Sequence, residues 1–592
     1  MNADISVWTH LHSHPCMDVP GRTCLYKRLL RPERTQTIKY PIILSAFTRK
    51  PAFSCFFEKT SLTFHAVRDI IEITLKHKSF KSKKQHRKKA VCVAIKLILL
   101  VLFFGSMIFI GIYARKHATN VSDFVLGGRG VGAWLTAFAY GTSYFSAVVF
   151  VGYAGQFGYK YGIASTFIGL GNAFLGSLLA WVVLGKRTRL MTRRLKSATM
   201  PDFFEKRFDS KALKIAASAI IFIFLVPYTA SIYNGLSRLF EMAFHVPYWV
   251  CVAGMALLTC IYVVVGGYMA TAINDFVQGI IMLVGIVAVI VAVLNGQGGF
   301  TAAIESLSAI QSETAPNMQG AFTSFFGSDP VGLFFVIILT SLGTWGLPQM
   351  IHKFYAIKNE KAVRTGTVIS TIFAVIVSGG CYFLGGFSRL FGGEAIMENG
   401  KVVYDAIIPH MLSTLPDLLI GIVIILVLSA SMSTLSSLVL TSSSTLTLDF
   451  LGGTVLKKMT ERGQLLLMRI FVVFFVALSV ILAIDPPAFI AQLMGISWGA
   501  LAGSFLAPFL YGLYWKGVTK ASVWVNFIVG IGITVFNLFV PVFSSPIVAG
   551  AVAMIAGLVV VPVVSLVTPK LSSKTIAHVF DDPPHNPDPA EL

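Results

Sequence analysis

From residue 91 onward the chain alternates apolar blocks of roughly 20 residues with short charged or Gly/Pro-rich breaks. Each block is long enough to cross the ~30 Å hydrocarbon core of a bilayer. The pattern predicts about thirteen spans, near 91–114, 132–157, 161–185, 211–240, 248–268, 272–294, 331–352, 366–390, 416–450, 465–485, 490–514, 521–541 and 546–568. The blocks at 211–240 and 416–450 exceed a simple crossing, which predicts tilt or an interfacial extension. The fold class that follows is an all-α polytopic membrane protein. Composition agrees: the chain is 55% hydrophobic and only 13% charged, whereas soluble domains carry about 25% charged residues. A soluble enzyme and a disordered chain are both excluded.

The placement of charge gives an orientation. The net charge of +21 points away from nucleic acid, because residues 1–90 hold 18 Lys/Arg against 6 Asp/Glu and the rest lies in short loops. Those loops alternate. Arg115/Lys116, the run Lys186–Lys214, Lys353–Arg364, Lys457–Arg462 and Lys516/Lys520 all follow odd-numbered spans, while 295–330 contains no Lys or Arg. The positive-inside rule puts the basic loops and the 569–592 tail in the cytoplasm. It also puts 1–90 outside, with the basic cluster Lys81–Lys89 beside the first span. Either the other spans override that extension or its start is miscalled, and its histidine-rich, aperiodic composition favours the second. It lacks the layout of a secretory signal. The seven cysteines are scattered and form no CxxC pair, so neither a disulfide framework nor a zinc site is suggested.

Three features of the apolar region carry candidate chemistry. Asp275, in GGYMATAINDFVQG, lies at the start of an apolar span, and an intramembrane carboxylate is a functional candidate by default. The plainer alternative is a solvated boundary position, or a helix cap such as its neighbour Asn274 would make. In the block LSASMSTLSSLVLTSSSTLTLDF, Ser433, Ser436 and Ser437 stand at i, i+3 and i+4 and share one helical face. Thr434 is turned about 100° away toward a neighbouring site. Hydroxyl oxygens suit a hard cation such as Na⁺, although small hydroxyl residues are also ordinary packing material between membrane helices. Third, two spans look breakable: the second between Gly141 and Gly158, and the seventh at TSLGTWGLPQM, where Pro348 removes a donor and disfavours helix before it. Non-helical backbone at membrane depth is tolerated where it lines a cavity. Breaks in the first helix of each of two five-helix units, spans 2–6 and 7–11, point to a transporter binding site.

Four stretches, DFVLGGRGVGAWLTAFAYGTSYFSA, IYVVVGGYMATAINDFVQG, SLGTWGLPQMI and SASMSTLSSLVLTSSSTLTLDF, together resemble the sodium/solute symporter family. The family includes sodium/proline, sodium/pantothenate, sodium/sialic acid and sodium/glucose transporters. The resemblance covers about residues 91–568. It implies a LeuT-type 5+5 inverted repeat: a peripheral first helix (91–114), repeats over 132–294 and 331–514, and two peripheral helices over 521–568. Its shared sodium site aligns with the backbone carbonyls of Thr142, Phe145 and Ala430 and the hydroxyls of Ser433 and Thr434. A second sodium site, present in some members, aligns with Asp275, Ser433, Ser436 and Ser437, where the residue reading had already pointed. Arg129, in Gly127-Gly128-Arg129, matches a basic element at the cytoplasmic mouth.

The implied activity is Na⁺-driven uptake of a small organic solute across the cell membrane. One charge crossing ~100 mV contributes about 2.3 kcal/mol and a tenfold gradient roughly 1.4. One Na⁺ thus supports about 500-fold accumulation and two on the order of 10⁵; the filled Asp/Ser set predicts two. The solute-facing positions carried over are Tyr144, Ser146, Val149, Tyr228, Thr340, Thr344, Trp345 and Pro348. Proline carriers match at Tyr228 and Pro348 but have Asp at 144 and aromatics at 340 and 344. Pantothenate carriers match at Tyr159–Gly162 and Gly346–Pro348 but lack Tyr228. Val149 in place of a Gln argues against sugar, and the absence of an Arg near Pro227 against sialic acid. A small zwitterion such as proline fits best, pantothenate or another small carboxylate next. An enzyme is disfavoured, with no HExxH, His/Cys cluster or nucleotide loop. A Na⁺-sensing receptor is disfavoured by the 24 residues that follow the last span, and a channel differs only in lacking coupling.

Overall fold

The computed structural model describes residues 96–114, 120–244, 246–392, 396–398, 400–452 and 459–581; the expectations for 1–90 and for Arg115/Lys116 lie outside them. Eleven helices among these residues are long and apolar enough to cross a membrane. One of the eleven, Val148–Arg194, bends at Gly162, and a shorter apolar helix, Tyr248–Ile261, precedes a turn at Gly267. Counting these arms separately gives thirteen apolar segments, in the order that the hydropathy blocks predict. Gly267 sits at φ 56°, and a Cβ there would meet the Phe124 ring at 2.8 Å, so the turn needs glycine on both counts. The overlong blocks are single continuous helices, Lys211–Phe244 with Pro227 inside it, and Leu418–Leu451.

Both predicted breaks are present. The first helix runs Ala133–Tyr144, becomes extended at Phe145 (φ −100°, ψ 122°), and resumes from Val148 through Tyr161. The other runs Pro330–Leu342, makes a tight turn through Gly343–Trp345, is extended at Leu347, and restarts at Pro348. Pro348 occupies the first position of the new arm, where its missing N–H costs nothing. Backbone bonds join the two broken helices: Val131 N donates to Ala356 O (3.1 Å) and Lys358 N to Val131 O (3.0 Å).

Glycines let the helices touch backbone to backbone. A Cβ at Gly158 would overlap the carbonyl of Gly385, and one at Gly346 would come within 2.7 Å of the Ala502 Cα. In a bilayer, where burying apolar surface gives little drive for association, such close approach and its van der Waals packing hold helices together. The interior they enclose is polar where the breaks meet. Among the apolar helices described, Leu418–Leu451 and Ile490–Tyr514 are the most deeply buried. These are the two that flank the breaks.

Candidate functional site

A helix that ends early leaves carbonyls without their i+4 donors. The chain is extended at Phe145, and the hydroxyl-rich helix supplies partners for the carbonyls exposed there. Ser433 Oγ donates to Thr142 O (2.9 Å) and lies 3.1 Å from Ala430 O. Thr434 Oγ1 lies 3.2 Å from Thr142 O, 3.4 Å from Phe145 O and 3.1 Å from Ala430 O. Three carbonyls and two hydroxyls from helices almost 300 residues apart therefore converge, all at buried residues. Oxygens about 2.4 Å from a hard cation and at right angles to one another stand roughly 3.4 Å apart. The spacing fits a small monovalent cation, with each hydroxyl turning its proton outward to present a lone pair. The next residues lock the break: Ala147 N donates to Ser431 Oγ (3.1 Å) and Val148 N to Ser146 Oγ (3.2 Å).

Beside this ring lies an aromatic wall. Tyr144 hydrogen-bonds the Thr340 carbonyl at 2.6 Å and stacks on Trp498, centroids 5.7 Å apart. Tyr228 meets the same Trp498 edge-on at 5.8 Å. The Tyr228 hydroxyl lies beside the Trp498 indole N–H, and neither meets a further partner among the described residues. Sequence alone does not single out Trp498, because one Trp in an apolar helix carries no signal; only packing brings it between two tyrosines. Val149 is buried one turn along. Thr344 and Trp345 face elsewhere: Thr344 Oγ1 bonds Gly176 O (2.9 Å) and Trp345 Nε1 bonds Leu175 O (3.0 Å), on the third helix. Thr340 Oγ1 returns to its own helix at Val336 O. The letters G-x-S-x-G occur at Gly495–Gly499, but they lie inside helix Ile490–Tyr514, where the Ser497 hydroxyl bonds Phe224 O. A hydrolase nucleophile sits on a strand-to-helix turn instead.

Asp275 is fully buried inside helix Tyr248–Gly296, seven residues beyond Tyr268, so neither the solvated nor the capping alternative describes it. Its neighbour is Lys353, which the loop charges alone place among the cytoplasmic basic residues. Lys353 lies within the helical arm Pro348–Ala356, and its side chain is 3% exposed. Its Nζ is 3.6 Å from Asp275 Oδ2 and donates to Ser437 Oγ at 3.0 Å, and Ser437 Oγ is 2.8 Å from Ser143 Oγ. The face of Tyr268 closes the shell, 5.3 Å from Nζ to the ring centroid. Of the other hydroxyls aligned with a second ion site, Ser433 belongs to the first ring and Ser436 bonds Ser433 O (2.8 Å). A periodicity argument could not have found Lys353, because the arm that carries it starts only after the break at Leu347.

Arg129, at φ 56°, is half-buried and reaches Ser197 O at 2.6 Å, while Arg193 bonds the Arg129 carbonyl. Burial lowers its guanidinium to about 10, with Tyr355 opposing the shift and Arg193 adding to it. It remains charged at neutral pH, beside the junction at Val131 and Ile357 that joins the two broken helices.

Two interrupted helices beside a hydroxyl-bearing third, with freed carbonyls between, define the class: they are the architecture of a secondary transporter. The model of the Sodium:solute symporter family matches residues 124–530. The chain belongs to this family, so Na⁺ is its coupling ion. A sodium/proline symporter of Staphylococcus aureus (strain JH9) is 30% identical over 499 residues, covering 82% of this chain and 94% of that protein. The osmoregulated proline transporter OpuE of Bacillus subtilis (strain 168) is 29% identical over 443 residues, covering 73% and 87%. Among solved structures, a Na⁺-coupled sialic acid symporter in a substrate-bound outward-open state superposes with a TM-score of 0.64. At 16% identity, and covering 81% of this chain and 99% of that one, it shares the fold.

Proposed function

We propose that the chain imports proline, or a similarly small zwitterionic amino acid, with Na⁺ bound at the first helix break. The observation that carries this reading is the convergence of Thr142 O, Phe145 O, Ala430 O, Ser433 Oγ and Thr434 Oγ1 within 3.4 Å contacts of one another's hydroxyls. A cation there draws Phe145 O and Thr142 O inward and fixes the backbone turn that positions Tyr144. The solute packs against Tyr144, Trp498 and Tyr228. The Tyr228 hydroxyl and the Trp498 indole N–H supply donors toward a carboxylate, and the rings supply an apolar wall for a pyrrolidine. The names of the two bacterial relatives favour proline over pantothenate.

In this reading the protein lies in the cell membrane, with Arg129 and the C-terminal tail cytoplasmic, as the loop charges indicate. The test is uptake of labelled proline and of labelled pantothenate into proteoliposomes, with inward Na⁺ against inward K⁺. Proline accumulation above the external level, dependent on Na⁺ and demanding more Na⁺ in Ser433→Ala, is the expected result. Na⁺-driven pantothenate uptake without proline uptake overturns the solute. Na⁺ binding without flux of either favours a sensor.

A further inference from the structure

We infer that the ε-ammonium of Lys353 is a resident cation that takes the place of a second Na⁺, so that this chain couples one Na⁺ to each solute. The inference rests on the Na⁺-coupled reading above, and it departs from what the Asp275/Ser433/Ser436/Ser437 set predicts by itself.

The ammonium stands where a cation would, hydrogen-bonded to one hydroxyl and ion-paired with the carboxylate. Nζ has Ser437 Oγ at 3.0 Å, the Asp275 carboxylate at 3.6 Å and the Tyr268 ring face at 5.3 Å. These are three kinds of group that recognise a cation: a hydroxyl, an anion and a π-face. Asp275 and the Lys353 side chain are 0% and 3% exposed, so the pair is neutral as it stands and no solvent compensates an added charge. A Na⁺ entering beside Asp275 would bring a second positive charge against the ammonium in a poorly screened interior. Of the hydroxyls that would complete such a shell, Ser437 already accepts from the ammonium and Ser433 stands in the ring at the first break. The lysine is tethered to the second broken helix and does not leave with the solute. It therefore supplies the local charge balance of an ion without contributing to the driving force. The thermodynamic ceiling on accumulation falls from the order of 10⁵ to about 500-fold at ~100 mV and a tenfold gradient.

The test counts ions. Equilibrium binding of radioactive sodium to the purified full chain in nanodiscs is compared for the parent, Lys353→Ala and Lys353→Arg. The expected result is one Na⁺ per chain for the parent and for Lys353→Arg, and two for Lys353→Ala, where Asp275 is free to hold an ion. A thermal stability that rises with Na⁺ in Lys353→Ala over a concentration range where the parent is already saturated reports the same event. Two Na⁺ in the parent overturns the inference, as does a folded Lys353→Ala chain that still binds one. Should that variant not fold, the reversal potential of the parent decides: a charge-to-solute ratio of one supports the inference and two overturns it. No Na⁺ binding in the parent would count against the first-break ion site, a separate result.

Discussion

Replacing Asp275 by Asn keeps shape and removes charge, leaving the Lys353 ammonium buried opposite a neutral amide. The Coulomb attraction of unit charges 3.6 Å apart at an effective dielectric of ~20 is about 4–5 kcal/mol. Burying both ions opposes much of that, so the pair as a whole contributes little net stability. Removing one partner is different, because the desolvation cost of the other remains, and such changes typically cost 3–5 kcal/mol. Asp275→Asn is therefore expected to unfold several degrees below the parent in detergent, and Lys353→Met by a similar margin at low Na⁺. The double variant, which removes both charges, should recover most of the loss, giving a coupling energy of at least ~2 kcal/mol in a double-mutant cycle. The assay is thermal unfolding of the four proteins at fixed salt and pH. An Asp275→Asn chain within ~0.5 kcal/mol of the parent, or strictly additive losses, would refute the claim that these charges sit unscreened against each other.

Other consequences are as direct. Ser433→Ala and Thr434→Ala each remove one of five oxygens from the ring at Thr142, and each should weaken Na⁺ affinity at least tenfold, read as the Na⁺ concentration for half-maximal uptake. Trp498→Ala removes the surface between Tyr144 and Tyr228; uptake kinetics should show a higher KM for the solute, with the Na⁺ stoichiometry unchanged. Gly158→Ala places a methyl group against the Gly385 carbonyl, and should lower Tm more than Gly532→Ala, whose Cβ meets nothing within 4 Å. Asp405, in the inter-span helix Tyr404–Ser413, accepts from Ile490 N at 3.1 Å. Burial raises its carboxyl to about 6, against the pull of that N–H and of Arg238. Because the folded value is raised, this group favours folding most below pH ~4, and the contribution is lost as pH rises from about 4 through 6, by roughly 3 kcal/mol. Asp405→Asn should flatten that part of the stability–pH profile, as measured by thermal melts between pH 4 and 7.

Much of this molecule is legible without coordinates. Hydropathy blocks give the order of apolar helices because a bilayer demands ~20 apolar residues with their backbone bonds satisfied internally. The breaks are legible too, since Gly and Pro act on local φ/ψ and need no partner: Pro348 starts an arm where its lack of an N–H predicts, and the glycine-flanked run from Gly141 yields at Phe145. The first ring is reached through the family resemblance, which aligns Thr142, Phe145, Ala430, Ser433 and Thr434; spacing alone does not choose Ser433 and Thr434 among the six hydroxyl residues between Ser429 and Ser437. What only the tertiary structure decided is which charges share a low-dielectric space. Lys353 reads in sequence as one of a run of loop cations, and Asp275 as a lone carboxylate waiting for an ion. Their meeting depends on how the arm after Leu347 crosses the Asp275 helix, which no periodicity encodes. The same holds for Trp498, which becomes part of a wall only when its helix packs between the two breaks, and for Trp345, whose indole is drawn to Leu175 O and away from the site. Local chemistry follows the chain; the pairing of distant charges and rings follows the packing.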